Sequence, residues 1–474
     1  MVVKASPTQV RVEVLRKLDC YQPTVSQSPS PEAWRCSPRD GRPFWAERLQ
    51  SHFRDNCYHY PVVLDPDGSP WQEANRYLLS RLADITPISH RTLESIAGDL
   101  AHFRQWQLDD DIDFLNVPGR PRARPTYRYC AFLHDLVGFQ TIKASTAKRR
   151  MSTVQNFYRW LEHDGVRFPH PLWVESDTRL SFKDAKGLQH QKQVKSTDLT
   201  RSFRTARQSH DFSEYLEDGG KLRPLPKDEQ IALVEALQRI GNTEMTLAFL
   251  LALTTGARLQ TVFTLRSKHV ASPPRDGTTS KRIKVGHGTL VNTKYGKQMT
   301  LLVPVWLYTR LQVYNQSPRR LQRVAKSQHS YPEVDEQYLF LTRAGQPYYM
   351  ATSDPFAFLY RSPPRGNAVT QFIHQQLIPN LNQHGQDFTF RFHDLRASFG
   401  MNLVESLLDQ HSERHATDEQ RPEFFQALMY VRERMGHSQL STTESYLNYR
   451  KKFKIASHLQ SEFESFLEKI VKEE

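Results

Sequence analysis

Four short patterns in the second half of this 474-residue sequence pair side chains able to grip an anion with one able to attack it. In chain order they are Thr255-Gly256-Ala257-Arg258, with Leu265-Arg266 after it; Lys294 in Lys294-Tyr295-Gly296-Lys297; His393-Asp394-Leu395-Arg396; and Gly436-His437, followed nine residues on by Tyr446. A guanidinium is a planar, permanently charged donor that suits phosphate oxygens. Histidine moves protons near neutral pH, and an activated tyrosine hydroxyl forms covalent intermediates. Each pattern alone is weak. His411-Ser412-Glu413-Arg414 repeats the third within a polar stretch and reads as solvated surface; Gly286-His287 repeats the start of the fourth. An arginine after Thr-Gly-Ala is more often a helix-end residue than a catalyst. The specific signal is all four, in this order.

These residues need elements to hold them. Leu233, Ala236 and Leu237 open a helix, and Met245 to Thr254 is a strongly apolar one that ends at Thr255-Gly256. Short β-like runs between Ile283 and Pro304 flank Lys294, which puts that lysine at a hairpin tip. Further helices are predicted over Thr370–Leu381, Leu395–Leu408, Phe424–Met435 and Ile455–Ile470. Upstream, Leu93, Ile96, Ala97, Leu100 and Phe103 recur at three and four. So do Met151, Val154, Tyr158 and Leu161, with Ser145 as the predicted N-cap, and Tyr127–Gln140 lies between. Residues 71–165 therefore read as an all-helical domain. Residues 1–70 hold nine of the 28 prolines and no sustained period, and read as an irregular N-terminal extension of unassigned role.

Composition narrows the class. With 38% hydrophobic residues the chain can bury cores, and its longest apolar run, Leu247–Leu253, is far too short to span a bilayer. Its start lacks the pattern of a secretion signal. Cys20, Cys36, Cys57 and Cys130 lie far apart, which suggests neither a disulfide scaffold nor a zinc site. Membrane and secreted classes are excluded on these grounds, and a cytoplasmic location is expected. The net charge of +13 makes nucleic acid a candidate partner, because basic side chains displace counterions from phosphates. Lys143, Lys148, Arg149 and Arg150 cluster at the start of the last helix of the 71–165 domain. Residues 166–228 read as a basic linker, with Lys183, Lys186, Lys192, Lys195, Arg201 and Arg204 expected to follow a DNA backbone.

Taken together, the four patterns resemble the tyrosine recombinase (phage integrase) family over roughly residues 71–460. The helical domain, with its closing Phe157-Tyr158-Arg159-Trp160-Leu161, resembles that family's core-binding module. The resemblance implies a mainly α fold with a small β-hairpin in a catalytic domain over 229–452. That domain and the all-α core-binding domain would form a C-shaped clamp on DNA, with a terminal helix over 453–474 exchanged between protomers. It also implies roles. Arg258 and Arg396 would hold the non-bridging oxygens of the scissile phosphate, with His393 and His437 donating hydrogen bonds or moving the nucleophile's proton. Lys294 would protonate the departing 5′ oxygen, and Tyr446 would attack to leave a covalent 3′-phosphotyrosine. No metal or cofactor is expected. The partners implied are duplex recombination sites, further copies of the chain up to a tetramer, and an accessory directionality factor. The product would be an integrated or excised mobile element: a phage, transposon or genomic island, in a bacterial or phage setting.

Several features depart from the family pattern. Its acidic residue three after the first arginine is replaced by Thr261, so the residue that orients Arg258 is unassigned. Extra length in 312–390 and 409–421 reads as surface elaboration. Tyr449 competes with Tyr446 as nucleophile. A type IB topoisomerase and a non-catalytic DNA-binding relative are the rival readings; the head His393 and the separate helical domain favour recombination over the first, and the filled catalytic positions argue against the second. For the linker, neutralising Lys183, Lys192 and Lys195 together should weaken cognate and random DNA binding by similar factors. It should also lower the slope of log affinity against log salt by about three, as read by fluorescence anisotropy across a salt series. A loss confined to one base position would contradict backbone tracking.

Overall fold

The computed structural model describes residues 9–18, 21–23, 34–36, 43–48, 57–82, 88–183, 189–201, 203, 215–218, 220–274, 277–327, 331, 333–412, 429–437 and 441–449. The chain forms two compact units, residues 1–208 with 355–362, and residues 209–354 with 363–474. Its secondary structure is mainly α, with small antiparallel sheets.

The first unit opens with strands, where the sequence predicted irregular chain. β1 (Arg11–Leu18) pairs antiparallel with β5 (Cys57–Leu64), Arg11 opposite Leu64. Between them β2 (Tyr21–Pro23), β3 (Trp34–Cys36) and β4 (Pro43–Arg48) form a sheet of order β2-β4-β3. The partners β1 and β5 lie some forty residues apart, so no local period announces them. Tyr60 and Val63 of β5 are buried in the core of the helices that follow: α1 (Gln72–Ser80), α2 (His90–Asp109), α3 (Pro125–Gly138) and α4 (Ala144–His163). Of these, α2, α3 and α4 fall where the apolar positions predicted helices. Ser89 caps α2 by accepting from the Thr92 amide, and Pro125 starts α3, where its missing N–H costs nothing. The N-cap of α4 is Lys143 rather than Ser145; the chain is already helical at Ala144, which leaves Ser145 in the first turn. Phe103, Tyr129, Phe157 and Tyr158 centre the aromatic core. The expected basic linker contains a long antiparallel hairpin, β6 (Glu175–Lys183) with β7 (Gln189–Thr197), and then the short α5 (Asp198–Arg201). Its polar, weakly periodic residues gave no strand signal.

The second unit begins with the small hairpin β8 (Leu216–Glu217) and β9 (Lys221–Leu222). There follow α6 (Lys227–Ile240), α7 (Thr243–Thr255) and α8 (Leu259–Phe263). The hairpin β10 (Ser280–Val285) and β11 (Met299–Pro304) comes next, paired from Ser280–Pro304 to Val285–Met299. The helices α9 (Val305–Gln316), α10 (Pro318–Ala325), α11 (Asn367–Phe372), α12 (Ile378–Gln383) and α13 (Asp394–Ser412) continue the chain. Two further helical stretches, α14 (429–435) and α15 (441–449), complete the described part. α7 is buried nearly all round, which explains its continuous apolar sequence.

The stretch 312–390 is not the surface elaboration that its extra length suggested. Tyr314, Leu339, Phe340, Val369, Phe372, Leu377 and Leu381 are all buried in the main core of the second unit. The predicted terminal helix, Ile455–Ile470, lies outside the described residues, as does most of 409–421.

Gly286 closes the β10–β11 hairpin at φ +107°, and a Cβ there would meet the Lys297 carbonyl oxygen at 2.3 Å. Only glycine fits both constraints. Gly286→Ala should cost about 1–3 kcal/mol, read by denaturant unfolding, with faster amide exchange concentrated in β10 and β11. Unchanged exchange in those strands would show that the tip does not depend on this residue.

Candidate active site

Four of the six residues singled out by type and spacing converge on one carboxylate. α7 ends at Gly256 in the left-handed conformation, φ +66°, and Arg258 is the N-cap residue of α8 immediately after it. Arg396 lies in the first turn of α13, α14 stops at left-handed Gly436 just before His437, and Tyr446 lies within α15. Asp218, in the turn between β8 and β9, is where they meet. Its Oδ2 accepts from Arg396 Nε at 2.8 Å and from the Tyr446 hydroxyl at 3.1 Å, and lies 3.1 Å from His437 Nε2. Its Oδ1 is 3.5 Å from an Arg258 guanidinium nitrogen.

Each side chain is fixed by more than Asp218. Arg396 is 1% exposed, and its other two nitrogens donate to the carbonyls of Gly256 at 2.8 Å and Met435 at 2.5 Å. Both carbonyls stand at helix C-termini, where a cation is favoured. His437 Nδ1 is 3.0 Å from the Thr443 hydroxyl. The Tyr446 ring packs so closely on Gly400 that a Cβ there would meet Tyr446 Cε1 at 2.4 Å. Of the two tyrosines, Tyr446 carries its hydroxyl into the cluster, while Tyr449 packs against the apolar group around Phe399, Val404 and Met435.

The electrostatics follow from this crowding. Burial works against the Asp218 charge, but the hydrogen bond from His437 and the Arg396, His437 and Arg258 charges outweigh it and hold the carboxyl well below the usual carboxylate range. Burial, then the Asp218 charge, pushes the Tyr446 phenol well above its ordinary value. Burial, reinforced by Arg396, brings Arg258 down to about 10. Enclosure followed by the Arg258 and Arg396 charges pushes His393 down to about 4, although the residue is open to solvent at its rim. His437 is also lowered, first by burial.

His393 shares this field through the Arg258 and Arg396 charges. Lys294 stands apart at the exposed hairpin tip, its ammonium 5.4 Å from the ring centre of Tyr295. On the same loop Lys297 donates to the Gly436 carbonyl at 3.0 Å, beside His437. Arg266 is not part of the cluster; it is buried 3.6 Å over the Tyr338 ring with Asp354 at 3.8 Å. Arg149 and Arg150 turn towards buried Asp99, at 2.5 and 3.9 Å, whereas Lys143 and Lys148 are exposed. The side chains of Lys183, Lys192, Lys195 and Arg201, and the whole of Lys186 and Arg204, lie outside the described set.

Asp218 was not foreseen. Thr261, which stands where an acidic residue was expected, donates instead to the Asn292 carbonyl at 2.9 Å. The one sequence signal at Asp218 is the turn-forming Glu217-Asp218-Gly219-Gly220 within a polar stretch. Beside the cluster runs a cleft of about 1220 Å³ whose walls include Arg282, Lys284, Lys297, Arg432, Arg434 and His437.

No protein-family model matches the chain, and neither does any curated protein. Among solved structures it is similar to the XerH site-specific recombinase bound to palindromic difH substrate in a post-cleavage complex, at 14% identity over 82% of this chain and 89% of that one, TM-score 0.44. It is also similar to a lambda integrase dimer bound to a COC′ core site (14% identity, 80% and 95% covered, TM-score 0.42). A third is the Tn1549 transposon integrase in complex with circular intermediate DNA, with 12% identity, 78% and 94% covered, and TM-score 0.39. These likenesses are distant.

Arg396→Lys would keep the charge but strand two helix-end carbonyls, so it should cost about 2–4 kcal/mol. Arg258→Lys, with one long contact and an open side, should cost about 1 kcal/mol or less. Urea unfolding of the two variants tests this order; equal losses would mean that the Arg396 contacts do not hold the helix ends together.

Proposed function

We propose that the chain is a site-specific DNA recombinase of the tyrosine type, breaking and rejoining strands through a covalent 3′-phosphotyrosine. The observation that carries this reading is the convergence of Arg258, Arg396, His437 and the Tyr446 hydroxyl on a single anionic group. A DNA phosphodiester is an anion too, and its cleavage passes through a more highly charged pentavalent state that two guanidiniums would stabilise. In the proposed reaction the Tyr446 oxygen attacks phosphorus as its proton passes to His437 or His393. The bond to the 5′ oxygen breaks, and that oxygen takes a proton from Lys294. Attack by the 5′-hydroxyl of a partner strand on the phosphotyrosine reverses the exchange and frees Tyr446, so the bond energy is kept and no water is consumed.

The substrates are then two duplex sites, and the biological outcome is movement of a mobile element in a bacterial cytoplasm. The chain would act as a tetramer on synapsed DNA, assisted by a directionality factor. The basic cleft beside His437 and the exposed Lys143 and Lys148 offer phosphate contacts that support DNA as the partner.

Nicked duplexes tiled across the DNA that flanks the gene provide the test. Wild-type protein and Tyr449→Phe should each leave a denaturation-resistant adduct on one of them. Tyr446→Phe should bind that duplex within about twofold of wild type and form none. Adduct formation that survives in Tyr446→Phe and vanishes in Tyr449→Phe would move the nucleophile by one turn. Joint molecules between two duplexes, beyond relaxation of supercoils, separate recombination from topoisomerase action.

A further inference from the structure

Asp218 sits on the nucleophile's side of the two arginines. An acid whose task was to orient Arg258 would bind its guanidinium firmly and leave the reacting face clear. Here the Arg258 contact is the longest, at 3.5 Å, and a single oxygen, Oδ2, engages Arg396, His437 and the Tyr446 hydroxyl at 2.8, 3.1 and 3.1 Å. Those are the donors that a phosphate would need. In-line attack requires phosphorus at roughly 3–3.5 Å from the tyrosine oxygen, with non-bridging oxygens at roughly 2.7–3.1 Å from the donors. The carboxylate fills that volume, and Arg396 behind it is 1% exposed.

We propose that Asp218 is an internal stand-in for the scissile phosphate: it occupies the anion hole of the DNA-free chain and has to withdraw before a phosphodiester can be gripped. This rests on the reading of the cluster as a phosphate site. The carrier suits the task. β8 and β9 are two residues each, anchored through buried Leu216 and Leu222, so the turn between them is short and its carboxylate can swing out without unpacking a helix. The plugged state is also chemically silent. A carboxylate beside Tyr446 disfavours the phenolate, and the anionic plug and an anionic phosphate exclude one another. Off DNA, the arginines are paired and the nucleophile is protected.

The test uses the full-length chain and inorganic phosphate as the probe. Asp218→Asn keeps the shape and removes the charge. In phosphate-free buffer it should melt below wild type, because the cationic groups lose their counter-charge. Added phosphate should then raise its melting temperature at concentrations about tenfold lower than any that affect wild type, a difference of about 1.4 kcal/mol in anion binding. Equal responses in the two proteins, or none in the variant, would overturn the proposal. If Asp218→Asn does not fold in phosphate-free buffer, phosphate should restore its circular dichroism spectrum; failure of that rescue would equally overturn it.

A second arm measures adduct formation on the nicked duplex that wild type cleaves. Asp218→Asn should form the adduct about tenfold faster or more, whereas slower formation would make Asp218 a positioning residue for catalysis and sink the plug. An absence of adduct with wild type on every duplex would count against the recombinase reading instead, and the phosphate titration would still decide whether the hole is plugged.

Discussion

One carboxylate oxygen holds the second unit's functional face together. Asp218 Oδ2 takes Arg396, His437 and Tyr446 from three separate helical regions, and Oδ1 faces Arg258 from a fourth. Like-charged guanidiniums sharing one carboxylate would repel in the low-dielectric interior, and Arg258 is lowered first by burial and then by the Arg396 charge. A single negative charge between them turns that repulsion into attraction. Every element that reaches the site, from the β8–β9 turn to α15, is thus positioned around a requirement for one anion.

The arrangement behind the arginines meets the same requirement by other means. Arg396 donates to the last carbonyls of α7 and α14, so two helix C-termini lend their partial negative charge to the buried guanidinium. The geometry depends on glycines at both ends. Gly256 at φ +66° has Phe399 so near that a Cβ would lie 2.5 Å from its ring, and Gly436 at φ +63° ends α14 one residue before His437. Gly400 does for the Tyr446 ring what Gly256 does for the turn: it removes the Cβ that would hold the ring off. The glycines of Thr-Gly-Ala-Arg and Gly-His therefore have a steric reason to accompany Arg258 and His437.

Much of this was legible in the sequence, for physical reasons. Helices α2, α4, α7 and α13 were readable because one buried face or a wholly buried barrel leaves a period or a run in the residues themselves. The resemblance carried by residue types and order implied one site for Arg258, Lys294, His393, Arg396, His437 and Tyr446, and four of these meet at Asp218. What could not be read was pairing across distance. β1 and β5 carry no local sign of each other, and β6–β7 is too polar to show alternation. Asp218 is 178 residues from Arg396 and 228 from Tyr446, in a stretch that read as linker. An acid three after Arg258 would have been visible; the approach of Asp218 from a remote turn is a tertiary fact. Core burial in 312–390 was missed for the opposite reason, since extra length was taken as a sign of surface where the buried side chains make it part of the fold.

Charge balance links the resting geometry to the proposed chemistry. Two guanidiniums and one carboxylate leave the hole with about one net positive charge, before either histidine adds its own. A phosphodiester carries a single negative charge, so exchanging Asp218 for DNA leaves the balance unchanged and needs no new counterion. The pentavalent state that follows carries more negative charge than either, and it is the first occupant to use the remaining positive charge. In the proposed reaction the site would discriminate weakly between its own carboxylate and a ground-state phosphate, and strongly in favour of the transition state. Differential binding of that kind lowers a barrier, whereas uniform tight binding of DNA would not.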